Sequence, residues 1–365
     1  MTTRGEPAGL TARRPVDTPP TVDTPPTAGR PVRGRPLLAL GLVAALLTLA
    51  AVVWASLLFG SGDVTAGDVV RGLLDPDLSV KGQLIVREER IPRTVAGLMT
   101  GAALGLAGAV MQGVARNPLA DPGILGVNAG AAVAVVFGIG VLGLTEPGHY
   151  IWFGFLGALL AAVLVYSIGS LGREGATPVK LALAGAATTA ILTSLTTAML
   201  LRDRMLFDRF RFWKVGSLSG RDPDLLLQAL PFIVAGVVFA IGLGPRLNAL
   251  SMGDDIARAL GQRVGAARLA AAASVVVLCG AATAIAGPIG FVGLIVAHGA
   301  RLITGPDYRW ILPYSLLLAP ILILVSDIAG RFILQPGEVQ VGIVTAVLGA
   351  VPFIILVRRR KQVEL

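Results

Sequence analysis

Few residues in this chain are placed to do covalent chemistry. Its single cysteine, Cys279, lies inside an apolar run, which leaves neither a disulfide framework nor a thiolate metal site. The two histidines, His149 and His298, have no neighbours at metal-ligand spacing, so no metal, haem or other cofactor is expected to be bound by this chain alone. Ser217 and His298 could make a serine protease only if they met inside a bilayer, and Ser217 falls in a loop expected outside it. No GxxxxGK[ST] occurs, and Lys81, Lys180, Lys214 and Lys361 stand in no phosphate-cradling loop. The chain is therefore expected not to be an enzyme, and any ATP-driven work needs a partner that binds the ATP. What remains is fixed charge: Arg90, Arg93, Arg331 and Asp327, the pair Asp254 and Asp255, and the polar interruption RNPLADPGILGVNAGA at 116–131.

The elements that must hold these charges are membrane helices. Hydrophobic residues make up 54% of the chain and charged ones 15%, and the mean hydropathy of +0.76 lies outside the soluble range. The 46 glycines suit helices packed backbone to backbone in lipid. The apolar runs show no alternation of polar and apolar residues, which excludes a β-barrel. The sequence predicts an all-α polytopic membrane protein with about ten transmembrane helices, at 36–59, 94–114, 124–144, 151–171, 179–201, 225–243, 267–286, 289–303, 311–329 and 341–357. The eighth run is short, and Gly287-Pro288 before it predicts a tight hairpin at the outer surface. An even count puts both termini on one side. Lys and Arg favour the segments on that side, with Arg358 to Lys361 at the end, so both termini are expected to be cytoplasmic. The basic loop 202–221 runs against this bias.

Three regions follow. Residues 1–35 repeat VDTPPT, hold few large apolar side chains, and are expected to form a disordered Pro-rich cytoplasmic tail. Residues 36–360 form the transmembrane domain, and 361–365 a cytoplasmic tail. No cleavable signal peptide is expected, because the first apolar run is long enough to be retained as a span.

Within the domain, Asn117-Pro118 and Asp121-Pro122 stop one helix and cap the next, which predicts a turn at a membrane surface. The connection at about 244–266 reads as short amphipathic helices. There Ser251 and Asp254 have capping-box spacing, and the acids suit a helix N-terminus. Thr65 and Asp68 have the same spacing before a short surface helix ending at Leu74. Arg331 can pair with Asp327 at i, i+4, and Glu338 in an outer turn is expected to accept backbone bonds.

Four stretches now carry a resemblance. RIPRTVAGLMTGAALGLAGAVMQGVARNPLADPGILGVNAGA (90–131), LNALSMGDDIARALG (247–261), GPIGFVGLIVAHGARL (287–302) and SDIAGRFILQPGEVQVGIVTAVLGAVPFIILV (326–357) occur in order and closely resemble the FecCD-type permeases. These are the transmembrane subunits of ABC importers for ferric siderophores, haem and cobalamin. The resemblance implies ten spans, cytoplasmic termini, and residence in the cytoplasmic membrane as one of two permease subunits. It also implies two cytoplasmic ATPases, which bind the ATP, and an extracytoplasmic substrate-binding protein. No nucleic-acid partner is implied, and lipid surrounds the chain.

By residue, the resemblance implies ATPase coupling through Gly253, Asp254, Asp255, Ala257, Leu260 and Gly261. It implies docking of the binding protein's carboxylates on Arg90, Arg93 and Arg331, which are expected at the exposed rim. Asn117, Pro118, Asp121, Pro122 and Gly126 are implied to lie beside the translocation path. His298 matches the family's histidine, while Ala297 departs from its usual proline. Ferric siderophore is the leading cargo, with cobalamin or haem as alternatives. An ion-coupled secondary transporter is the competing class, and would be expected to show acidic or histidine relays that these spans almost entirely lack.

Overall fold

The computed structural model describes residues 34–144, 146–172, 177–334 and 337–361; the N-terminal tail up to 33 and the last four residues lie outside them. Among the described residues every regular element is helical. Seven helical stretches are long and apolar enough to cross a membrane: Arg35–Leu58, Lys81–Ala115, Ile151–Gly169, Pro178–Leu200, Pro223–Gly242, Val264–Ala286 and Tyr308–Ile333. Three further apolar helices, Val127–Gly140, Val292–Thr304 and Val341–Val351, are shorter. All ten expected runs thus hold an apolar helix, but the third and eighth are half-length.

In chain order the helices are α1 (Arg35–Leu58), α2 (Ala66–Leu74), α3 (Lys81–Ile85), α4 (Ile91–Ala115), α5 (Val127–Gly140), α6 (Pro147–Gly169), α7 (Pro178–Leu200) and α8 (Arg204–Val215). They continue with α9 (Pro223–Gly242), α10 (Gly244–Ser251), α11 (Asp254–Ala259), α12 (Val264–Ala286), α13 (Val292–Thr304), α14 (Tyr308–Ile333) and α15 (Val341–Lys361). Helix α4 is the hub and packs on α14, α12, α13 and α9. Its sequence allows this because glycines at four-residue spacing turn one face to α14: a Cβ at Gly97 would meet Leu324, one at Gly101 the backbone of Pro320, and one at Gly105 Ala319 and Ser315. A π turn at Val86–Arg90 joins α3 to α4 and makes one long stretch of them.

Helix α2 begins as its sequence predicts. The Thr65 hydroxyl accepts from the Asp68 amide at 3.2 Å, while the Asp68 carboxylate accepts from the Thr65 amide at 2.9 Å. The Thr65 hydroxyl also donates to that carboxylate at 2.7 Å, and this bond, with the one from the Thr65 amide, holds the Asp68 carboxyl below the usual carboxylate range. The basic segment after α7 is a helix the sequence reading missed. In α8, Leu206, Phe210 and Trp213 recur at i, i+4, i+7 and are buried, so the charges of this segment sit on the opposite side.

Candidate functional site

Two charged centres sit at opposite ends of the bundle, with a broken-helix junction between them. The first is built on α10 and α11. Gly253 opens α11 with φ 117°, a region reserved for glycine. Gly261 closes it at φ 77°: its amide donates to Arg258 O at 2.9 Å and the Gln262 amide to Ala257 O at 2.9 Å, the paired bonds of a Schellman end. Ala257 is buried beneath the helix.

The predicted capping box at Ser251 does not form. Gly253 occupies the N-cap, and the Ser251 hydroxyl donates to Asn248 O at 2.7 Å. Asp254 has a different task, because it is gripped from two other elements. The Arg116 guanidinium donates to its carboxylate, and Arg268 of α12 donates at 2.9 and 3.0 Å. Arg116 terminates α4 in the left-handed conformation, φ 51°, and also donates from Nε to Leu250 O at 2.6 Å. Asp254 therefore ties α11 to the ends of α4 and α12. Asp255, by contrast, is fully exposed and, among the described residues, pairs only along its own helix, with Arg258 at 2.9 Å.

Asn248 fastens α10 to the turn before α14. Its Nδ2 donates to Asp307 at 2.6 Å and its Oδ1 accepts from the Tyr308 amide at 2.8 Å. Partial burial pushes the Asp307 carboxyl up, but hydrogen bonds from Arg309 and Asn248 outweigh it and hold the group below its ordinary value. Beside the exposed charges of Asp255 and Arg258, this braced platform presents apolar side chains outward: Met252 at the end of α10 and, four residues apart along α11 and its cap, Ile256 and Leu260 are 58%, 46% and 63% exposed. A hydrophobic stripe of this kind on a polar connection marks an interaction surface. Met252 and Ile256 were missed in the sequence because each reads as an ordinary core residue.

At the other end, the structure corrects the expectation of a rim. Arg90, Arg93 and Arg331 are 3%, 5% and 2% exposed, and their donors are used within the chain. Arg93 clasps Asp327 with Nη2 at 2.8 Å and Nε at 3.0 and 3.1 Å, and reaches Glu338 with Nη1 at 2.7 Å. Arg331 donates to the same Asp327 at 2.5 and 3.1 Å and to the Ser56 and Phe59 carbonyls, each at 2.7 Å. Arg90 donates to the carbonyls of Leu57, Leu58, Ser61 and Gly62 at 2.6 to 3.4 Å. The α1 helix ends here with free carbonyls, and guanidinium forks satisfy them. Glu338, expected to take backbone bonds, instead completes the ionic cluster.

The junction lies between. Asp121 Oδ1 accepts from the Gly123 amide at 2.7 Å and caps the 3-10 turn as expected, whereas Asn117 Oδ1 accepts from the Leu119 amide at 3.0 Å inside the turn, at no helix start. The turn starts at a surface as expected, with Arg116 and Asn117 exposed beside the α11 platform, but from Ala120 onward it runs inward. Asp121, Pro122 and Gly123 share a small cavity with Leu104 of mid α4, Cys279 of α12 and Gly293 of α13. Gly126, φ 71°, faces Ala161 and Val165 of α6 and Thr188 of α7. Gly287-Pro288 likewise leads down to α13, whose Gly293 touches Gly108. Two half-helices, α5 of 14 residues and α13 of 13, thus begin inside the bundle. At 1.5 Å per residue each is about 20 Å long, too short for a core of about 30 Å. Irregular backbone at this depth is tolerated because it is enclosed by protein. Helix α13 passes Ala297 without a break, and His298 is half-buried on it.

Among the described residues no three His, Cys, Asp or Glu side chains gather as a metal site.

The comparisons with known proteins agree in kind. The sequence profile of the FecCD transport family matches residues 47–359. The ferric enterobactin transport system permease protein FepD of Escherichia coli is 48% identical over 279 residues, covering 76% of this chain and 83% of that one. The iron(3+)-hydroxamate import system permease protein FhuB of Bacillus subtilis is 42% identical over 279 residues, covering 76% and 72%. A solved chain of a metal-chelate type ABC transporter in an inward-facing conformation superposes with a TM-score of 0.76 at 26% identity, covering 88% of this chain and 99% of that one.

Proposed function

We propose, from the premise that the chain belongs to the FecCD transport family, that it is the membrane permease subunit of an ABC importer for ferric siderophores. It is a transport component embedded in the cytoplasmic membrane, and its relatives are permeases of iron-chelate importers. The ten apolar helices are read as ten passes, with α5 and α13 completed by the buried segments that precede them. Both termini, including the Pro-rich tail at 1–35, then face the cytoplasm together with α10 and α11.

The observation that carries the mechanism is the exposed stripe of α11 on its braced base. An ATPase subunit would seat Met252, Ile256 and Leu260 in a cleft, with Asp255 at its edge. Gly253 and Gly261 set the length of the helix, Ala257 packs it down, and Asp254 passes its movement to α4 and α12. Asp121, Pro122 and Gly126, with Asn117 and Pro118 leading to them, sit where that movement reaches mid-depth beside the path. Arg90, Arg93 and Arg331 shape the outer platform on which a substrate-binding protein docks, and act by holding α1, α4 and α14 together. A second permease subunit would complete the passage and two ATPases would drive it.

The test is uptake by the reconstituted importer of labelled ferric siderophore, haem and cobalamin, with the partner ATPase and binding protein present. ATP-dependent entry of the ferric siderophore alone is expected. Entry that needs no ATPase but collapses with the proton gradient would instead make the chain a secondary transporter.

A further inference from the structure

One lengthwise face of α12 is covered by neither of its neighbours α6 and α9. Ala266, Leu269 and Ala273 on it are exposed, and Ala270 and Val277 half-buried. The flanking helices meet toward their outer ends, where the Phe232 ring lies 5.7 Å from Trp152 and 5.2 Å from Phe155 between centroids. There Trp152 Nε1 also donates to Gln228 at 3.1 Å. Below this aromatic roof a cavity of about 240 Å³ opens between α6 and α12, lined almost wholly by apolar side chains such as Leu159, Val163, Leu269, Ala273 and Val277, with Tyr166 toward its lower end.

The same face of α12 runs down into a second space. A cavity of about 370 Å³ is lined by Arg246 of α10, Gly261, Gln262, Arg263, Ala266 and Ala267. Its lining holds two arginines and no acid. Among the described residues neither Arg246 nor Arg263 makes an ion pair or a side-chain hydrogen bond, in contrast to Arg116, Arg258, Arg268 and Arg309 nearby. The α12 N-terminus opens here with no side-chain cap and no acid in its first turn, so its free amides add positive potential. Ala266 to Val277 is a rise of eleven residues, about 16 Å along the helix, close to the half-thickness of a bilayer core.

We propose that this groove binds one anionic phospholipid, its phosphate held by Arg246, Arg263 and the α12 amides and one acyl chain lying along Ala266 to Val277 beneath the Trp152, Phe155 and Phe232 roof. Charge complementarity selects the head group, and the continuous apolar floor selects a lipid over a free anion. The site stands beside the α11 platform and touches it at Gly261. The inference needs the chain to lie in a membrane but does not depend on its cargo, and the test below involves no transport.

The full chain in nanodiscs of equal phosphatidylglycerol and phosphatidylcholine is measured by native mass spectrometry for retained lipid. Two arginines near the surface correspond to a preference for phosphatidylglycerol of about thirtyfold. Arg246→Gln/Arg263→Gln should bring the ratio close to one, and 1 M salt should do the same to the unaltered protein, which needs no variant to fold. Ala273→Trp, which fills the floor, should reduce retention of both lipids. A ratio near one in the unaltered protein overturns the proposal, as does a ratio indifferent to both the double substitution and salt. Loss of the bound lipid on adding ATPase subunits would also overturn it, since the arginines would then belong to that partner.

Discussion

Asp327 accepts from two arginines, and it shows how much of this site a sequence can disclose. Its partner Arg331 lies four residues along α14, a spacing any helix brings together, and that pair was legible before the structure. Arg93 is 234 residues away in sequence, and nothing in spacing or composition announces that the α4 and α14 glycine contact brings it to the same carboxylate. The three arginines were expected at an exposed rim because the resemblance implied that they receive carboxylates from a binding protein; here the open carbonyls of α1 and a shared carboxylate draw them inward. The consequence is measurable. An exposed pair is worth about 0 to 1 kcal/mol and fades with salt, whereas removing one partner of a buried pair costs about 3 to 5 kcal/mol. Asp327→Asn leaves Arg93 and Arg331 sharing a neutral acceptor, and should lower the thermal midpoint of the purified protein by an amount that 0.5 M salt does not restore. A loss under about 1 kcal/mol that varies with salt would return the cluster to the exposed rim.

Among the elements, α11 was the most legible and α5 the least. Two glycines and a run of acids mark a short helix start and stop, and both glycines have the positive φ that their residue type allows. The length of α5 was hidden because its preceding residues, Ile124 and Leu125, are apolar and extend the run without extending the helix; Pro122 to Leu125 is a 3-10 turn ending at a left-handed Gly126. Hydropathy counts apolar residues, not hydrogen bonds, and cannot distinguish the two. Helix α8 was lost for the opposite reason, since its arginines masked a three-residue apolar edge. The division of labour within α11 makes a separable prediction. Ile256→Asp/Leu260→Asp changes only exposed side chains, so the permease should accumulate normally in membranes yet fail to retain its ATPase on purification. Asp254→Lys places a cation against Arg116 and Arg268, and should reduce folded yield itself. If the stripe variant keeps the ATPase, α11 is not the seat of coupling; if Asp254→Lys folds as well as the parent, the bridge does not hold the platform.

At the scale of the whole molecule, close backbone approach at α4 is the feature on which both ends depend. The ionic cluster needs α4 against α14, the Asp254 bridge needs the end of α4 beside α12, and the half-helix α13 begins where Gly108 meets Gly293. The abundance of glycine was plain in the sequence, but not which glycines bear contacts: a Cβ on Gly108 would overlap the backbone of Gly293, while one on Gly299, six residues further along α13, meets nothing within 4 Å. Both sit inside helices, where alanine is preferred over glycine by roughly 0.5 to 1 kcal/mol, so propensity alone predicts that either substitution stabilises. Packing reverses the sign at one of them. Overpacking costs about 1 to 3 kcal/mol when side chains can shift, and Gly293 has only backbone to move. Gly108→Ala should therefore lower thermal stability and also uptake, because separating α4 from α13 displaces Asp121 and its cavity. Gly299→Ala should raise stability slightly and leave uptake unchanged. Thermal unfolding of the two purified variants decides it: equal midpoints would mean that α4 and α13 part easily, and that the buried start of α13 is not held by the glycine contact.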